Sequence, residues 1–305
     1  MKNIVVIGSS NTDMIVKTLT LPRPGETVAG GEFFLAPGGK GANQAVAAAR
    51  LGGAVTFIAK VGTDSFGDQA IAGYEKEGID TSYIGRTSDH ATGIALILVD
   101  QKGENLISVA SGANFQWSDA DLARVRSVIE QAGIVVFQLE IPLNVVATLA
   151  QIAADAEVPV LLDPAPATAL PEELLRNVSY LKPNEHEAEA VSGIKVVDEA
   201  SATQAAQRLL DLGVKNAVVI TLGEKGALIL QRGGVPQIVP APKICAADST
   251  AAGDAFTGAL AWQLNQGVEL LDAVRIANYV AALSATRMGA QPSLPTLTEL
   301  NGFMP

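Results

Sequence analysis

The sequence of 305 residues contains a single cysteine, Cys245, so no disulfide can form within the chain. One cysteine is compatible with a reducing compartment, and we expect a cytoplasmic protein. Long apolar runs are also missing. The first apolar run, Ile4–Ile7, is too short for a membrane span or for the core of a signal peptide. The sequence therefore predicts no membrane association.

Basic residues are scarce as well: 21 Lys and Arg stand against 32 Asp and Glu, which gives a net charge of −11. Proteins that bind nucleic acid usually carry basic patches, so a nucleic-acid partner is disfavoured. An acidic protein can still hold a nucleotide, because backbone N–H groups and a bound cation neutralise phosphates locally. Apolar residues make up 48% of the chain, which is enough for a buried core.

Short apolar runs alternate with longer amphipathic segments along most of the chain. The runs are rich in valine and isoleucine, which is typical of parallel strands covered on both faces. The predicted strands are residues 4–7, 55–59, 134–138, 159–163, 217–221 and 227–230. The predicted helices are residues 42–51, 119–131, 143–156, 200–212, 254–264 and 270–287. This order predicts one α/β domain over residues 1–305, with a doubly wound, mostly parallel sheet flanked by helices.

Two segments, residues 14–36 and 91–110, interrupt this alternation. Each contains two apolar stretches separated by a turn, Pro22-Arg-Pro-Gly25 in the first and Asp100-Gln-Lys-Gly103 in the second. Both patterns are typical of β-hairpins. The hairpins could form a small sheet that covers a cleft, or they could be peripheral edge hairpins, and the pattern alone does not decide between the two.

The run Asp248-Ser-Thr-Ala-Ala-Gly-Asp254 leads directly into a predicted helix. The first N–H groups of a helix have no intrahelical partner and favour an anion. Asp254 in the first turn could accept a proton from a hydroxyl. From spacing alone, an ordinary acidic first-turn residue is the better explanation of Asp254, because Asp is common at that position.

Two further runs carry candidate ligand-binding residues. Gly38-Gly-Lys-Gly-Ala-Asn-Gln44 leads into an alanine-rich helix, and its glycines allow a ligand close to the backbone. Asn11 and Asp13 follow the first strand and offer acceptors for sugar hydroxyls, although Asp13 could equally form a turn. A dinucleotide fingerprint and a Walker loop are both missing from the sequence.

Other strand ends add polar residues. Glu140 follows the strand at 134–138, and Thr221-Leu-Gly-Glu-Lys-Gly226 follows another. In Asn184-Glu-His-Glu187, an Asn and a Glu one turn apart could orient magnesium through water, or could simply cap a solvated helix. Asp163 is a further strand-end carboxylate, to which the sequence assigns no role.

Two signatures together identify a family. The run from Gly38 to Gly52, followed by Val61-Gly-Thr-Asp-Ser-Phe-Gly67, resembles the first signature of the ribokinase-like (PfkB) carbohydrate kinases. Asp248 to Asp254 resembles their second signature, and Asn184-Glu-His-Glu187 is similar to their Asn-x-x-Glu motif. The resemblance extends from the first strand to Ser293. Two signatures in the family's order are far more specific than either one alone.

The resemblance implies a role for each matching residue. Asp254 would be the catalytic base, beside the N–H groups of Ala251, Ala252 and Gly253. The sugar would contact Asn11, Asp13, Gly39, Lys40, Gly41, Asn43, Glu140 and Asp254. ATP would contact Asn184, Thr221, Gly223, Glu224, Gly226, Gly253 and Asn278. Potassium would be surrounded, partly through backbone carbonyls, by Asp248, Thr250, Ser284, Arg287, Gly289 and Ser293, and magnesium would be held through water by Glu187.

The resemblance also implies the reaction, which is ATP-dependent phosphorylation of D-ribose at the 5-hydroxyl to give ribose 5-phosphate and ADP. A related kinase for deoxyribose, fructose or a nucleoside is an alternative, and a non-catalytic sugar- or nucleotide-binding regulator is a more remote one. The two hairpin segments would form a lid over the sugar. In such kinases two lids pair, so a homodimer is expected.

Overall fold

The computed structural model describes residues 2–305. Its strands follow the valine- and isoleucine-rich runs, with shorter strands between them. They are β1 (Ile4–Ile7), β2 (Asn11–Lys17), β3 (Glu32–Gly38), β4 (Val55–Ile58), β5 (Lys60–Gly62), β6 (Gly85–Thr87), β7 (Gly93–Val99), β8 (Asn105–Ala110), β9 (Ile134–Phe137), β10 (Val160–Leu162), β11 (Tyr180–Leu181), β12 (Ala217–Thr221), β13 (Ala227–Gln231) and β14 (Gln237–Val239).

The helices separate most of these strands. They are α1 (Lys40–Arg50), α2 (Ser65–Lys76), α3 (Asp119–Glu130), α4 (Leu143–Asp155), α5 (Glu172–Leu175), α6 (Glu185–Ser192), α7 (Glu199–Asp211), α8 (Ala252–Asn265), α9 (Leu270–Ala285) and α10 (Leu297–Phe303). Within residues 2–305, no helix has the length and apolar character needed to cross a membrane.

The central sheet has the strand order β14-β13-β12-β11-β10-β9-β1-β4. The six strands from β12 to β4 are parallel, and β13 and β14 are antiparallel at one edge. Successive residues of a strand point to opposite faces. Ile4 and Val6 accordingly pack into the core layer under α1, α8 and α9, whereas Val5 and Ile7 pack into the layer under α3, α4 and α7. The predicted doubly wound fold is confirmed.

A second sheet of four strands lies apart from the central one, in the order β3-β2-β7-β8. The pairs β2–β3 and β7–β8 are antiparallel hairpins, and β2 and β7 join the hairpins by parallel pairing. We call these strands the small sheet. The hairpins are therefore joined in one sheet, and they are not separate edge hairpins. Their role as a lid stays a prediction.

The sequence misplaced several elements. Helix α2 and strands β11 and β14 were not predicted, because α2 is interrupted by glycines and β11 has only two residues. Strand β2 begins at Asn11, earlier than the predicted segment, so Asp13 lies inside a strand and its interpretation as a turn residue is wrong. Helix α8 begins at Ala252, two residues before Asp254.

Close packing between α1 and α8 depends on Gly258. A Cβ atom at this position would lie 2.6 Å from the Ala47 Cβ and 2.7 Å from the Gln44 carbonyl oxygen. A Cβ atom would clash at these distances, so only glycine lets the two helix backbones approach this closely. The contact places Gln44 of α1 directly beside the first turns of α8.

We predict that Gly258→Ala destabilises the fold by about 1–3 kcal/mol, the usual cost of overpacking a core. The matched control is Gly73→Ala in α2, where a Cβ meets no atom within 4 Å. That change should stabilise the protein by about 0.5–1 kcal/mol, because alanine loses less backbone entropy on folding. Urea unfolding measures both. Equal midpoints for the two variants would contradict the packing argument.

Candidate active site

The candidate residues meet at one edge of the central sheet because the strands that carry them run parallel. Asn11 follows β1, Glu140 follows β9, Asp163 follows β10, and Asn184 follows β11. The carboxyl ends of parallel strands lie at the same edge, which is where ligands bind in such folds. The edge is completed by Lys40 at the start of α1 and by Asp254 in the first turn of α8.

Asp254 is buried, with 6% of its surface exposed, and both of its carboxylate oxygens are fixed by amides from α1. Asn43 Nδ2 donates to Oδ2 at 2.9 Å, and Gln44 Nε2 donates to Oδ1 at 3.0 Å. These bonds hold the carboxylate in one orientation at the beginning of α8. The geometry suits a group that must face one substrate hydroxyl.

A second buried carboxylate, Asp163, belongs to the same network. Gln44 Nε2 donates to Asp163 Oδ2 at 2.8 Å, and Thr257 Oγ1 donates to the same oxygen at 3.1 Å. The Lys182 ammonium lies 3.0 Å from Asp163 Oδ1, and both side chains of this ion pair are almost completely buried. Asp163, which the sequence left without a role, thus neutralises Lys182 beneath the active-site turn.

Charge within the site shifts several pKa values. Burial raises the pKa of Asp254, the Lys40 ammonium opposes this effect, and the charge of Asp163 adds to it. Burial disfavours the charged form of Lys40, but the carboxylates of Asp254, Asp163 and Glu140 outweigh burial and raise its pKa. Lys40 is therefore a cation at neutral pH, and it balances the acidic groups around it.

The turn before α8 has the geometry of an anion site. Ala251 adopts the left-handed conformation, with φ of 59°, which costs energy for a residue other than glycine. Gly253 lies in the first helical turn, where N–H groups lack an intrahelical partner. The N–H of Ala252 donates to the Ser249 carbonyl at 3.1 Å, so it can reach an anion only after that contact opens. Lys182 lies close to Gly253, on the side where a Cβ would point.

The predicted sugar-binding residues Asn11, Asp13 and Glu140 lie near Asp254, at the end of the small sheet that meets the central sheet. Asn11, Asp13 and Gly38 share one face of the small sheet, because Asn11 pairs with Gly38 and Asp13 is two residues further along β2. Glu140 accepts hydrogen bonds from the Ser9 hydroxyl and from the Lys40 N–H. Burial, together with the charges of Glu140 and Asp254, raises the pKa of Asp13 to about 6.

Two glycines allow this crowding of backbone. A Cβ at Gly41 would lie 2.6 Å from the Gly8 carbonyl carbon, and Gly39 has a φ of 92°. Any side chain at Gly41 would push α1 away from the end of β1. The glycine-rich run is therefore required by the close approach of two backbones as well as by any ligand.

Asn184 and Glu187 form a reciprocal cap at the start of α6. Asn184 Oδ1 accepts from the Glu187 N–H at 2.9 Å, and Glu187 Oε2 accepts from the Asn184 N–H at 2.7 Å. The pair is thus a helix cap, but Glu187 is buried and not solvated. Burial and the charge of Asp163 raise the pKa of Glu187, and Lys182 opposes them. Cations near Glu187 would relieve this cost.

The candidate nucleotide-binding residues surround the end of β12. The N–H of Thr221 donates to the Pro183 carbonyl, which brings this strand end beside Asn184. Gly223 and Gly226 have positive φ values, and Glu224 lies between them in a short 3-10 turn. Asn278 of α9 is buried, and its Nδ2 donates to the Val239 carbonyl at 2.9 Å. These residues border one region of the sheet edge.

Asp248 joins the two loops that were assigned to potassium. Its Oδ1 accepts from the N–H and the hydroxyl of Thr250, and its Oδ2 accepts from the Gly289 N–H at 2.8 Å. Burial favours the neutral acid, but these hydrogen bonds lower the pKa of Asp248. The Ser284 and Ser293 hydroxyls are 2.7 Å apart and buried. The Arg287 side chain pairs with Glu299, so a ligand from Arg287 to a cation would be its backbone carbonyl.

Sequence reasoning missed Gln44, Lys182 and Asn114. Gln44 bridges the two buried carboxylates, Lys182 pairs with Asp163, and Asn114 contacts the first residues of β2. Gln44 ends the glycine-rich run but was given no role there, and Lys182 stands two residues before the Asn184-Glu-His-Glu187 motif. Asn114 lies in a short turn with no motif to mark it. Only the folded chain shows what these side chains contact.

Comparisons with known proteins show the family of the chain. The family described as pfkB family carbohydrate kinase matches residues 1–297. A ribokinase of Haemophilus influenzae is 42% identical, over 99% of this chain and 98% of that protein. A structure of Arabidopsis thaliana ribokinase complexed with ribose and ATP superposes with a TM-score of 0.91 at 32% identity, covering 99% of this chain and 98% of that one. A deoxyribokinase of Salmonella typhi is 36% identical, with 99% and 98% covered.

The parallel-sheet edge with its buried aspartate, together with these matches, defines the class of the protein: it is a phosphotransferase that acts on a sugar hydroxyl. Within that class, the chain belongs to the pfkB family of carbohydrate kinases. The resemblance inferred from the two signatures is confirmed. The roles of the individual site residues stay predictions.

The raised pKa of Asp13 predicts a dependence of stability on pH. Because the pKa of Asp13 is about 6 in the folded protein against an ordinary value of 3.8, ionisation of Asp13 above pH 6 destabilises the folded state. This destabilisation is fully present at pH 8 and disappears as the pH falls below 4. We predict that Asp13→Asn raises the melting temperature by about 2 °C or more at pH 8, and much less at pH 4.

The control for this experiment is Asp89→Asn, because Asp89 is exposed. It should change the melting temperature little at either pH. A stabilisation by Asp13→Asn that is equal at pH 4 and pH 8 would exclude ionisation of Asp13 as its cause.

Proposed function

We propose that the protein transfers the γ-phosphoryl group of ATP to the 5-hydroxyl of D-ribose, forming ribose 5-phosphate and ADP. The observation that carries the proposal is that Asp254, held by Asn43, lies at the same sheet edge as the polar side chains of Asn11, Asp13 and Glu140. The similarity to ribokinases at 42% and 32% identity supports ribose as the sugar and ATP as the donor.

In the mechanism we propose, Asp254 accepts the proton of the 5-hydroxyl while that oxygen attacks the γ-phosphorus in line. Asn43 and Gln44 orient the carboxylate, so the base is aligned before the substrate arrives. In this mechanism the N–H of Gly253 and the ammonium groups of Lys40 and Lys182 would stabilise negative charge on the transferred group. Little covalent chemistry is left to the protein, so positioning and electrostatics provide most of the rate.

Two cations complete the proposal. Glu187, buried beside Asp163, would hold a hydrated magnesium ion, and the ion would supply positive charge to the phosphates of ATP. The loops joined by Asp248 fit a potassium ion, because they combine an ionised carboxylate with backbone carbonyls near Ser284, Arg287, Gly289 and Ser293. Asp248 ties these loops to the turn at Ala251, so the ion would order the anion site without touching substrate.

The small sheet provides a lid and an interface in this proposal. One of its faces carries Asn11 and Asp13, so the sheet covers the sugar and excludes water from the transferred phosphoryl group. The sheet also exposes large apolar side chains, including Phe33, Leu35, Leu96 and Leu106. A second copy of the chain would bury them, which supports a homodimer formed through the two lids.

Deoxyribose is the second candidate substrate, because a deoxyribokinase is 36% identical over nearly the full chain. Fructose and nucleosides remain further alternatives within the same mechanism. A non-catalytic binding protein is disfavoured by the oriented Asp254 and the strained turn at Ala251.

ADP release in the presence of ATP and Mg²⁺ tests the proposal, with D-ribose, deoxyribose, fructose and adenosine compared, each with and without K⁺. We expect the highest kcat/KM with ribose, and an increase when K⁺ is added. Preference for another substrate would overturn ribose but retain Asp254. Absence of turnover with all four would contradict the proposed function.

For Asp254→Asn we predict a fall in kcat of about a hundredfold or more, the usual contribution of a positioned base. The melting temperature should be retained, because the substitution removes a buried charge while keeping the shape of the side chain. The KM for ATP provides the control, and it should change little. Near-normal kcat in a folded variant would remove Asp254 from the role of base.

A further inference from the structure

The buried side chain of Asn114 makes three hydrogen bonds to the residues around the start of β2. It lies in the 3-10 turn Gly112–Phe115 that follows β8, and only 1% of its surface is exposed. Its Oδ1 accepts from the Ser10 N–H at 2.9 Å. Its Nδ2 donates to the Ser10 carbonyl at 3.2 Å and to Asn11 Oδ1 at 2.7 Å. One side chain thus holds both residues at the start of β2.

The direction of these hydrogen bonds is fixed by the backbone. The Ser10 N–H can only donate, so the end of the Asn114 amide that faces it must be the oxygen. The other end must then be the NH₂ group, which donates to Asn11. The oxygen of the Asn11 amide is therefore turned toward Asn114, and the Asn11 NH₂ group is turned away. Among residues 2–305, the hydrogen bond of the Asn11 side chain to Asn114 uses its oxygen, so its NH₂ group is left available to a ligand.

Glycines next to the Asn11–Asn114 contact leave room for it. A Cβ at Gly93, the first residue of β7, would lie 2.2 Å from Asn11 Oδ1 and 2.3 Å from Asn114 Nδ2. Glycine at this position is what allows the two side chains to meet. Gly112, at the beginning of the 3-10 turn, has a φ of 51°, and the Ala113 N–H donates to the Ala91 carbonyl. Asn114 therefore lies beside the first residue of each hairpin of the small sheet, Asn11 in β2 and Gly93 in β7.

We propose that Asn114 is a positioning residue for the sugar. It fixes the Asn11 amide so that the NH₂ group faces the pocket as a hydrogen-bond donor. It also links this amide to the first residues of the two hairpins, so their position affects the sugar contact. This inference rests on the proposed function, in which Asn11 and Asp13 bind sugar hydroxyls. A hydroxyl has one proton to donate, and an ionised Asp13 accepts it. A neighbouring group must then donate to the hydroxyl oxygen, which is what the fixed orientation of Asn11 provides.

The test is Asn114→Asp, which keeps the shape of the side chain and removes its donor. The new carboxylate still accepts from the Ser10 N–H, but its second oxygen faces two acceptors, the Ser10 carbonyl and Asn11 Oδ1. Rotation of the Asn11 amide relieves one of these repulsions and turns its oxygen toward the sugar. The sugar then loses a hydrogen bond from Asn11, because the Asn11 oxygen faces the oxygen of the sugar hydroxyl. We expect the KM for the preferred sugar to rise about tenfold or more, and the KM for ATP to stay within about twofold.

A double-mutant cycle with Asn11→Ala separates this role from a general structural one. If Asn114 acts through Asn11, then Asn114→Asp should raise the sugar KM little further when Asn11 is already alanine. Asn144→Asp makes the same change of charge on an exposed residue of α4 and should leave both KM values unchanged. Melting temperatures identify any variant that is unfolded, and Asn114→Ala provides a second variant without the new charge.

The inference is overturned if Asn114→Asp leaves the sugar KM unchanged, if it raises the KM values for sugar and ATP equally, or if its effect adds fully to that of Asn11→Ala. These outcomes are distinct from failure of the proposed function, because they are measured with whichever sugar the wild-type protein phosphorylates best. A wild-type protein with no sugar kinase activity would contradict the proposed function itself.

Discussion

The active site depends on the Gln44 amide that lies between two buried carboxylates. Asp254 and Asp163 each accept a hydrogen bond from the same Nε2 atom, at 3.0 and 2.8 Å. Two buried like charges are costly unless donors and cations compensate for them. Gln44 supplies the donor, and Lys182 and Lys40 supply the positive charge. These contacts favour the charged form of Asp254 and oppose burial, which raises its pKa.

The surrounding architecture follows from the need to hold this amide in place. Gln44 reaches both carboxylates only because α1 packs closely on α8, and Gly258 permits that distance. Gln138 Nε2 donates to Gln44 Oε1 at 2.6 Å, which ties the amide to the end of β9. The parallel strands bring Gln138, Asp163 and Lys182 to one edge. The same edge receives the small sheet, whose first strand carries Asn11 and Asp13.

Much of the fold could be predicted from the sequence, because buried parallel strands have a strong local signal. The runs at β1, β9 and β12 were predicted within one residue, and the two hairpins were found from their turns. Helix α2 and strand β11 have weak local signals, so their positions are set by tertiary packing. Asp254, Asp13 and Glu140 could be singled out as polar residues at strand and helix ends. The roles of Gln44, Asp163, Lys182 and Asn114 could not, because they arise from contacts between residues distant in the chain.

The dependence of kcat on pH in Gln44→Met tests this account most directly. Removing the shared donor leaves the carboxylates of Asp254 and Asp163 without the hydrogen bond that favours their charged forms, so the pKa of Asp254 should rise. The account predicts that the acid limb of the kcat profile moves to higher pH, while Gln138→Met, which removes a contact to Gln44 but none to either carboxylate, moves it much less. An unchanged acid limb in folded, active Gln44→Met would contradict the account.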